Sequence, residues 1–268
     1  MEKKILKTDR DDYVSYYSKG EKYNNIALVY YHGLNGKAKI VKPLLSKIKE
    51  YDFYSIEERG HENSLQKASV LLSKHDNDIL NVVKYLKNEY EKVYLIGESM
   101  GALFCSRVAY KSDLIDGVFC WSIPFNPKDI MVERQSKKFV IFFRVILCFL
   151  FGWNYKYSAK VDYPKLTNSP FLMKLNKLDI DTKGSTSEEI AIWKASLTIR
   201  HKFLHKTPKK PIYYWHGSQD IMASQKLINK IMKKNKVSVE IIPDAKHILM
   251  FEKNAYLIYD KILEIIKY

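Results

Sequence analysis

Three residues far apart in this 268-residue chain have side chains and surroundings suited to nucleophilic catalysis: Ser99, Asp220 and His247. Ser99 is the centre of a Gly-Glu-Ser-Met-Gly pentapeptide, between an apolar segment typical of a buried strand (91–96) and one typical of a helix (100–110). A glycine two residues to each side permits a turn tight enough to lift the hydroxyl clear of the sheet and to aim the helix N-terminus at it. We therefore predict that Ser99 is a nucleophile at a strand-to-helix turn.

A serine hydroxyl needs a base to become a nucleophile, and the base needs an acid that orients it. Asp220 and His247 each follow a predicted strand, 211–216 and 237–242 respectively. Because parallel strands end at the same edge of a sheet, both side chains should lie beside Ser99. We expect Ser99 to attack an acyl carbonyl and His247 to remove its proton and later protonate the leaving group. Asp220 is expected to fix the imidazole tautomer and to stabilise the imidazolium.

Other residues compete for the roles of acid and base. Asp244 is closer in sequence to His247, but a Pro-Asp pair usually forms a turn. Asp116 precedes its predicted strand and so belongs to the opposite edge of the sheet. His216 lies at a strand end, but it precedes Asp220, and we expect a packed histidine bonded to the loop backbone there. Three further histidines have no supporting context and are expected at the surface: His75, His201 and His205.

The negative oxygen of a tetrahedral intermediate requires donors that are already in place. The backbone N–H of Met100, at the start of the helix after the serine, is one predicted donor. The second is expected from the loop after the apolar segment 26–31, which reads His32-Gly33-Leu34, and we assign it to the N–H of Leu34. Gly33 permits the close backbone approach that this role requires.

Predicted strands and helices alternate along most of the chain. After an N-terminal strand pair, strands are predicted at 26–31, 52–56, 91–96, 117–121, 211–216 and 237–242, and helices at 41–49, 76–90, 100–110, 224–234 and 254–267. This alternation predicts an α/β protein with a mostly parallel, doubly wound sheet and helices on both faces. Between 123 and 206 the pattern changes to helical stretches without a convincing strand. We expect residues 1–122 and 207–268 to form the core and residues 123–206 to form a helical lid over the strand ends.

Composition is typical of an ordinary cytoplasmic protein. The three cysteines, Cys105, Cys120 and Cys148, lack metal-ligand spacing and are expected to be free thiols in a reducing compartment. No apolar signal segment follows Met1, so no secretory signal is expected. The lysines responsible for the net charge of +15 are scattered and accompany no nucleic-acid-binding motif, so we expect no nucleic-acid partner.

The strongest apolar run of the chain, residues 139–151, lies in the predicted lid. It is shorter than the ~20 residues of a membrane-spanning helix and is interrupted by Arg144, so a membrane anchor is not expected. Two arrangements remain open. The run could pack on the core and line an acyl tunnel, or its apolar face could enter a membrane interface with Lys137, Lys138 and Arg144 near the headgroups. Either suits an apolar acyl chain, for which contacts are expected from four side chains: Phe142, Phe143, Ile146 and Phe149.

Taken together, the motifs resemble the α/β-hydrolase superfamily, and within it the serine hydrolases of the monoacylglycerol lipase and lysophospholipase branch. The resemblance rests on His32-Gly33-Leu34, on residues 58–64, on the 97–101 pentapeptide, on residues 216–220, and on His247 with Leu249 nearby. The chain departs from the branch at Glu62 and Ala102, where glycines are common. The resemblance implies ester hydrolysis by a triad in the chain order serine, acid, histidine, with no metal and no organic cofactor.

The sequence therefore predicts a carboxylic ester hydrolase acting on monoacylglycerol- or lysophospholipid-type esters in the cytoplasm, with peripheral contact at the inner membrane face if the lid docks there. Three alternatives remain open. A small-ester esterase would use the same triad. So would an aminopeptidase-like amidase, which would need an acidic anchor for the substrate amine, and Glu188 and Glu189 are the clustered candidates. The third alternative is a lipid-binding hydrolase fold without catalysis.

Overall fold

The computed structural model describes residues 1–267 apart from 23, 35, 40, 62, 127–137, 153, 161–162, 177–180 and 235. The strands of its main sheet are β1 (Glu2–Lys7), β2 (Asp12–Ser18), β3 (Ile26–Tyr31), β4 (Asp52–Ile56), β5 (Lys92–Glu98), β6 (Gly117–Trp121), β9 (Ile212–Gly217) and β10 (Ser238–Ile242). They lie in the order β1-β2-β4-β3-β5-β6-β9-β10. The pairs β1/β2 and β2/β4 are antiparallel and the remaining pairs are parallel. The predicted fold class is confirmed.

The register of the parallel strands brings their carboxyl ends to one edge of the sheet. Tyr31 of β3 lies opposite Gly97 of β5, and Trp121 of β6 lies between Glu98 and Trp215. The loops that follow these strands therefore start side by side. This is the edge at which the sequence predicted the reactive side chains.

Helices cover both faces of the sheet. In the described part of the chain they are α1 (Lys42–Leu45), α2 (Leu72–Leu86), α3 (Met100–Ala109), α4 (Lys138–Phe151), α5 (Tyr163–Leu166), α6 (Pro170–Asn176), α7 (Thr186–His205), α8 (Gln225–Met232) and α9 (Tyr256–Lys267). Successive side chains of a strand point to opposite faces, so Val29 joins a core with residues of α2, α3, α7 and α8. Leu28 joins a second core with residues of α1 and α9. Both faces of the central strands are thus buried, as the continuous apolar run of β3 predicted.

Two predicted helices differ from the observed ones. α1 is a single turn that ends at Leu45 instead of 49, and α2 runs four residues earlier than 76–90. The expectation that His75 lies at the surface is wrong, because its ring is buried and stacks on Phe104 at 4.1 Å. This burial lowers the pKa of His75 to about 4. Its apolar partner is distant in sequence, so local periodicity could not reveal it.

The segment between β6 and β9 carries α4 to α7 and a two-stranded antiparallel sheet of β7 (Lys156–Lys160) and β8 (Asp181–Ser185). The expectation of a segment without strands is therefore wrong. The sequences of β7 and β8 are mostly polar and lack an apolar alternation, which explains why they were missed. α7 places Ile192, Ile199 and Phe203 in the same core as α2 and α3. The division of the chain at residues 123 and 206 stays a prediction.

α4 contains the apolar run of the sequence and is 14 residues long. Among the described helices, none combines the length and the hydropathy needed to cross a bilayer.

Candidate active site

Ser99 lies in a strained turn between β5 and α3. Its φ of 51° and ψ of −110° are outside the regions that L-residues usually occupy. A Cβ atom at Gly101 would stand 2.2 Å from the carbonyl oxygen of Tyr31, and one at Gly97 would stand 2.6 Å from Cα of Ala102. Backbone atoms thus occupy the space that a side chain at either position would need. Both positions therefore require glycine, and this requirement made the spacing recognisable in the sequence.

A continuous chain of hydrogen bonds joins the three predicted side chains. His247 Nε2 lies 3.0 Å from the hydroxyl oxygen of Ser99. His247 Nδ1 lies 3.1 and 3.0 Å from the two carboxylate oxygens of Asp220. Asp220 also accepts a hydrogen bond from the N–H of Met222 at 2.8 Å, which orients its carboxylate. With Nδ1 donating to Asp220, the free electron pair of Nε2 faces the serine hydroxyl, which is the arrangement a general base requires.

The surroundings adjust the acidity of this pair in opposite directions. Burial raises the pKa of Asp220, but the charge and hydrogen bond of His247, the charge of His216 and the hydrogen bond from Met222 together outweigh it, so the pKa of Asp220 lies below its usual value. Burial lowers the pKa of His247, but the charge and the hydrogen bond of Asp220, with a smaller contribution from Glu98, raise it above its usual value. The site therefore stabilises a positive charge on His247, which a base must carry after it has taken a proton.

The competing residues lie elsewhere or have other partners. His216 is buried, and its Nδ1 bonds the Tyr214 hydroxyl at 3.0 Å rather than the loop backbone. Asp244 is exposed and has a positive φ of 54°, as a turn residue does. Asp116 is at the opposite edge of the sheet, where it pairs with Lys87 at 2.7 Å. Of these three, only His216 comes near the triad, at 3.8 Å from Asp220 Oδ2.

The loop after β3 runs directly beside Ser99. A Cβ atom at Gly33 would stand 3.2 Å from Cβ of Ser99. The carbonyl oxygen of Gly33 accepts hydrogen bonds from the N–H of Gly36 and from Nδ1 of His32, both at 2.9 Å. In a trans peptide the next N–H points away from the carbonyl. The N–H of Leu34 therefore points in the opposite direction, away from these two donors. The N–H of Met100 belongs to the first residue of α3, where intrahelical partners are absent.

Two residues beside the triad escaped the sequence analysis. Ser122, the first residue after β6, is fully buried and donates a hydrogen bond to the carbonyl oxygen of His247. Glu98, adjacent to the serine, accepts a hydrogen bond from the Tyr30 hydroxyl at 2.8 Å. Neither has a sequence signal, because serine at a strand end and glutamate in a turn are common.

A buried polar cluster connects the loop after β3 with the segment that contains α4 to α7. Its members are His32, Glu58, His61 and Glu188. The rings of His32 and His61 have centroids 4.5 Å apart, and His61 Nδ1 is 3.4 Å from Glu188 Oε1. Burial raises the pKa of Glu58 to about 8 and lowers that of His61 to about 3, so both are uncharged at neutral pH. Glu62, the departure noted in this loop, lies outside the described residues.

The predicted acyl-contacting side chains of α4 lie mostly at the surface. Phe142, Phe143 and Phe149 are exposed, with exposed fractions of 63%, 52% and 55%. Ile146 is half-buried. Lys137 and the side chain of Lys138 lie outside the described residues. Arg144 is half-buried, and its guanidinium lies 3.8 Å from the centre of the Tyr155 ring.

Known structures with a similar fold include several hydrolases. A monoacylglycerol lipase from Paleococcus ferrophilus matches with a TM-score of 0.73 and 17% identity, over 93% of this chain and 97% of that one. A soluble variant of monoglyceride lipase from Saccharomyces cerevisiae matches with a TM-score of 0.75 and 13% identity, over 99% and 92%. E-2-(acetamidomethylene)succinate hydrolase matches with a TM-score of 0.72 and 16% identity, over 99% of each chain. These likenesses confirm the α/β-hydrolase fold.

No curated protein matches the sequence significantly. The family model described as serine aminopeptidase, S33, matches residues 24–254, a range that contains β3 to β10 and Ser99, Asp220 and His247. This match confirms the predicted resemblance to serine hydrolases with the α/β-hydrolase fold, and it confirms the prediction of a hydrolase. The chain belongs to the serine aminopeptidase S33 family.

Proposed function

We propose that this protein hydrolyses carboxylic esters through an acyl-enzyme on Ser99, and that its substrates are lipid esters of the monoacylglycerol or lysophospholipid type. The observation that supports the proposal most strongly is the hydrogen-bond chain from Ser99 through His247 to Asp220, whose contacts measure 3.0 to 3.1 Å. Two of the similar structures are described as a monoacylglycerol lipase and a monoglyceride lipase, which supports the choice of ester.

The first half of the reaction acylates the serine. Ser99 Oγ attacks the ester carbonyl while its proton passes to His247 Nε2, 3.0 Å away. Asp220 stabilises the resulting imidazolium through Nδ1. The N–H groups of Met100 and Leu34 hold the negative oxygen of the tetrahedral intermediate, and one such donor typically accelerates catalysis by about 10²–10³-fold. His247 then protonates the departing alcohol.

The second half releases the acid. A water molecule takes the position of the alcohol, His247 removes its proton, and the hydroxide attacks the acyl carbonyl. The second tetrahedral intermediate collapses when His247 returns the proton to Ser99 Oγ. The free enzyme is restored, so the cycle is balanced without another reactant.

The preference for lipid esters is supported by the exposed apolar surface above the sheet. This apolar lid surface consists of seven exposed side chains of α4 and α7: Phe142, Phe143, Phe149, Leu150, Phe151, Trp193 and Leu197. So many large apolar side chains exposed on two helices that contact each other are typical of an interaction site. Cations border them, since Arg144 lies on the same helix and the Lys194 ammonium is 5.9 Å from the centre of the Phe149 ring. We propose that this surface enters the interface of anionic membranes, from which the enzyme takes its substrate.

Esters are favoured over aminoacyl amides by the state of Glu188, one of the two predicted amine anchors (the other is Glu189). Glu188 is only 3% exposed, and Ser185 donates a hydrogen bond to its carboxylate at 2.7 Å. Its other oxygen faces His61. Burial raises the pKa of Glu188, which weakens it as an anionic anchor for an ammonium group.

The proposed reaction is tested with purified protein and p-nitrophenyl and monoacylglycerol esters of increasing chain length, alongside aminoacyl amides. We expect hydrolysis of esters with a preference for the longer acyl chains, and loss of activity by at least about 10³-fold in Ser99→Ala, because the attacking oxygen is removed. A fluorophosphonate should label the wild type and spare the variant. Faster cleavage of aminoacyl amides would replace the ester proposal, and absence of both hydrolysis and labelling would leave a non-catalytic fold.

The acid of the triad is tested by the pH dependence of kcat/KM. The base must be neutral, so activity should fall as the pH decreases through the pKa of His247, which Asp220 holds above 6.5. Asp220→Asn removes that charge while burial still disfavours the imidazolium, so the acidic limb should move to lower pH and kcat should fall on the order of 10⁴-fold. The exposed Asp244→Asn is the matched control, and an equal effect of both substitutions would reject Asp220 as the acid.

Membrane docking is tested by flotation with vesicles of phosphatidylcholine and phosphatidylglycerol. Replacing Phe149 and Leu150 by glutamine should weaken binding roughly a hundredfold or more, because burying each side chain contributes about 1.5–3 kcal/mol and about 1.4 kcal/mol is a factor of ten in affinity. Ile5→Gln, at an exposed apolar residue of the edge strand β1, should bind as the wild type does. Unchanged binding of the double variant, or no binding by the wild type, would exclude docking through this surface and leave the triad proposal intact.

A further inference from the structure

Ser122 has a backbone conformation that a serine adopts at a cost. Its φ is 56°, in the left-handed region, and the residue is completely buried. For an L-residue this conformation is less favourable than the right-handed one, because Cβ comes too close to the following carbonyl oxygen, whereas glycine adopts it readily. A glycine would therefore suit the backbone better, so the side chain of Ser122 must contribute something that glycine lacks.

The hydroxyl of Ser122 ties the end of β6 to the backbone of the proposed base. It donates a hydrogen bond to the carbonyl oxygen of His247, which also accepts the N–H of Leu249 at 3.0 Å. The N–H of Ser122 donates to the carbonyl oxygen of Trp215 on β9 at 3.2 Å. Ser122 thus connects three separate segments at the carboxyl edge of the sheet.

The topology explains why His247 needs such an attachment. His247 follows the edge strand β10, while Ser99 follows β5, and β9 and β6 lie between these two strands. The loop that carries His247 must therefore pass over the ends of two strands before the imidazole reaches the serine. Ser122 stands at the end of β6, the last strand crossed.

The same strand end also holds the nucleophile. The N–H of Ser99 donates to the carbonyl oxygen of Trp121 at 3.1 Å. Two consecutive residues, Trp121 and Ser122, thus bind the backbones of the nucleophile and of the base. The 3.0 Å contact between His247 Nε2 and Ser99 Oγ is set between two backbones that are attached to one rigid strand.

We propose that Ser122 is a positioning residue that holds the His247 loop at the distance proton transfer requires, and that its hydroxyl offsets the cost of its left-handed backbone. The proposal rests on the proposed triad function. Since small displacements of reacting groups lower rates by up to about 10²-fold, loss of the hydroxyl should reduce kcat by roughly 10- to 100-fold with KM changed little.

The test compares variants in which the hydroxyl and the backbone strain change separately. Ser122→Gly removes the hydroxyl and relieves the strain, while Ser122→Ala removes the hydroxyl and keeps the strain. Ser122→Thr keeps the hydroxyl. We expect kcat to fall equally in Ser122→Gly and Ser122→Ala, although their Tm values differ. Ser122→Thr should retain a higher kcat than either of them, even though its Tm is lower than theirs. The matched control is Ser106→Ala, because Ser106 is also fully buried but its hydroxyl bonds Cys120 Sγ at 3.6 Å.

Two readouts separate this proposal from the proposed function. The rate of fluorophosphonate labelling of Ser99 should fall in Ser122→Gly in parallel with kcat. The pKa of His247, followed by NMR titration of its ring, should also fall, because a loosened loop weakens its contact with Asp220, and this readout needs no turnover. A Ser122→Gly variant with wild-type kcat and an unshifted His247 titration would overturn the proposal, as would a loss of kcat that follows Tm across all the variants. A wild type without hydrolysis would instead refute the proposed function, and the His247 titration would still decide the role of Ser122.

Discussion

The contact between His247 Nε2 and Ser99 Oγ is the interaction on which the proposed chemistry depends. It joins residues 148 positions apart in sequence, and it is only as well defined as the two loops that carry it. On one side the glycine-flanked turn fixes the backbone conformation of Ser99 between β5 and α3. On the other side the His247 loop must cross the ends of β9 and β6. The carboxyl end of β6 holds both segments, because Trp121 accepts a hydrogen bond from the N–H of Ser99 and Ser122 donates one to the carbonyl oxygen of His247.

The charge of each buried titratable group in the site depends on whether it has a charged partner. Asp220 and His247 stabilise each other's charges, so His247 can hold a proton while it is being transferred. Close by, Glu58 and His61 are buried without hydrogen-bond partners for Glu58 Oε1 and for both His61 ring nitrogens among the described residues. Their pKa values of about 8 and about 3 keep them uncharged at neutral pH. The surroundings of the loop after β3 therefore contain fewer charges than the number of titratable side chains there suggests.

The segment between β6 and β9 combines a firmly attached helix with an exposed one. α7 shares the core of α2 and α3 and places Glu188 against His61. α4 contacts α7 but leaves most of its aromatic side chains in solvent. α7 is thus fixed to the core, whereas α4 exposes apolar side chains to solvent. The buried-tunnel arrangement, left open by the sequence, is less well supported than interfacial docking, because Phe142, Phe143 and Phe149 face outward.

The sequence by itself determined the sheet and the placement of the candidate site. The apolar runs of β3 to β6, β9 and β10 predicted buried parallel strands, and a parallel sheet must bring the residues after those strands to one edge. The glycines around Ser99 were readable because backbone crowding there excludes any side chain. Only the tertiary structure decided the roles that depend on distant partners: the burial of His75 on Phe104, the pairing of the polar strands β7 and β8, the contact of Glu188 with His61, and the hydrogen bond from Ser122 to His247. The physical reason is that periodicity and local sterics are properties of neighbouring residues, whereas these contacts join side chains that become neighbours only when the chain is folded.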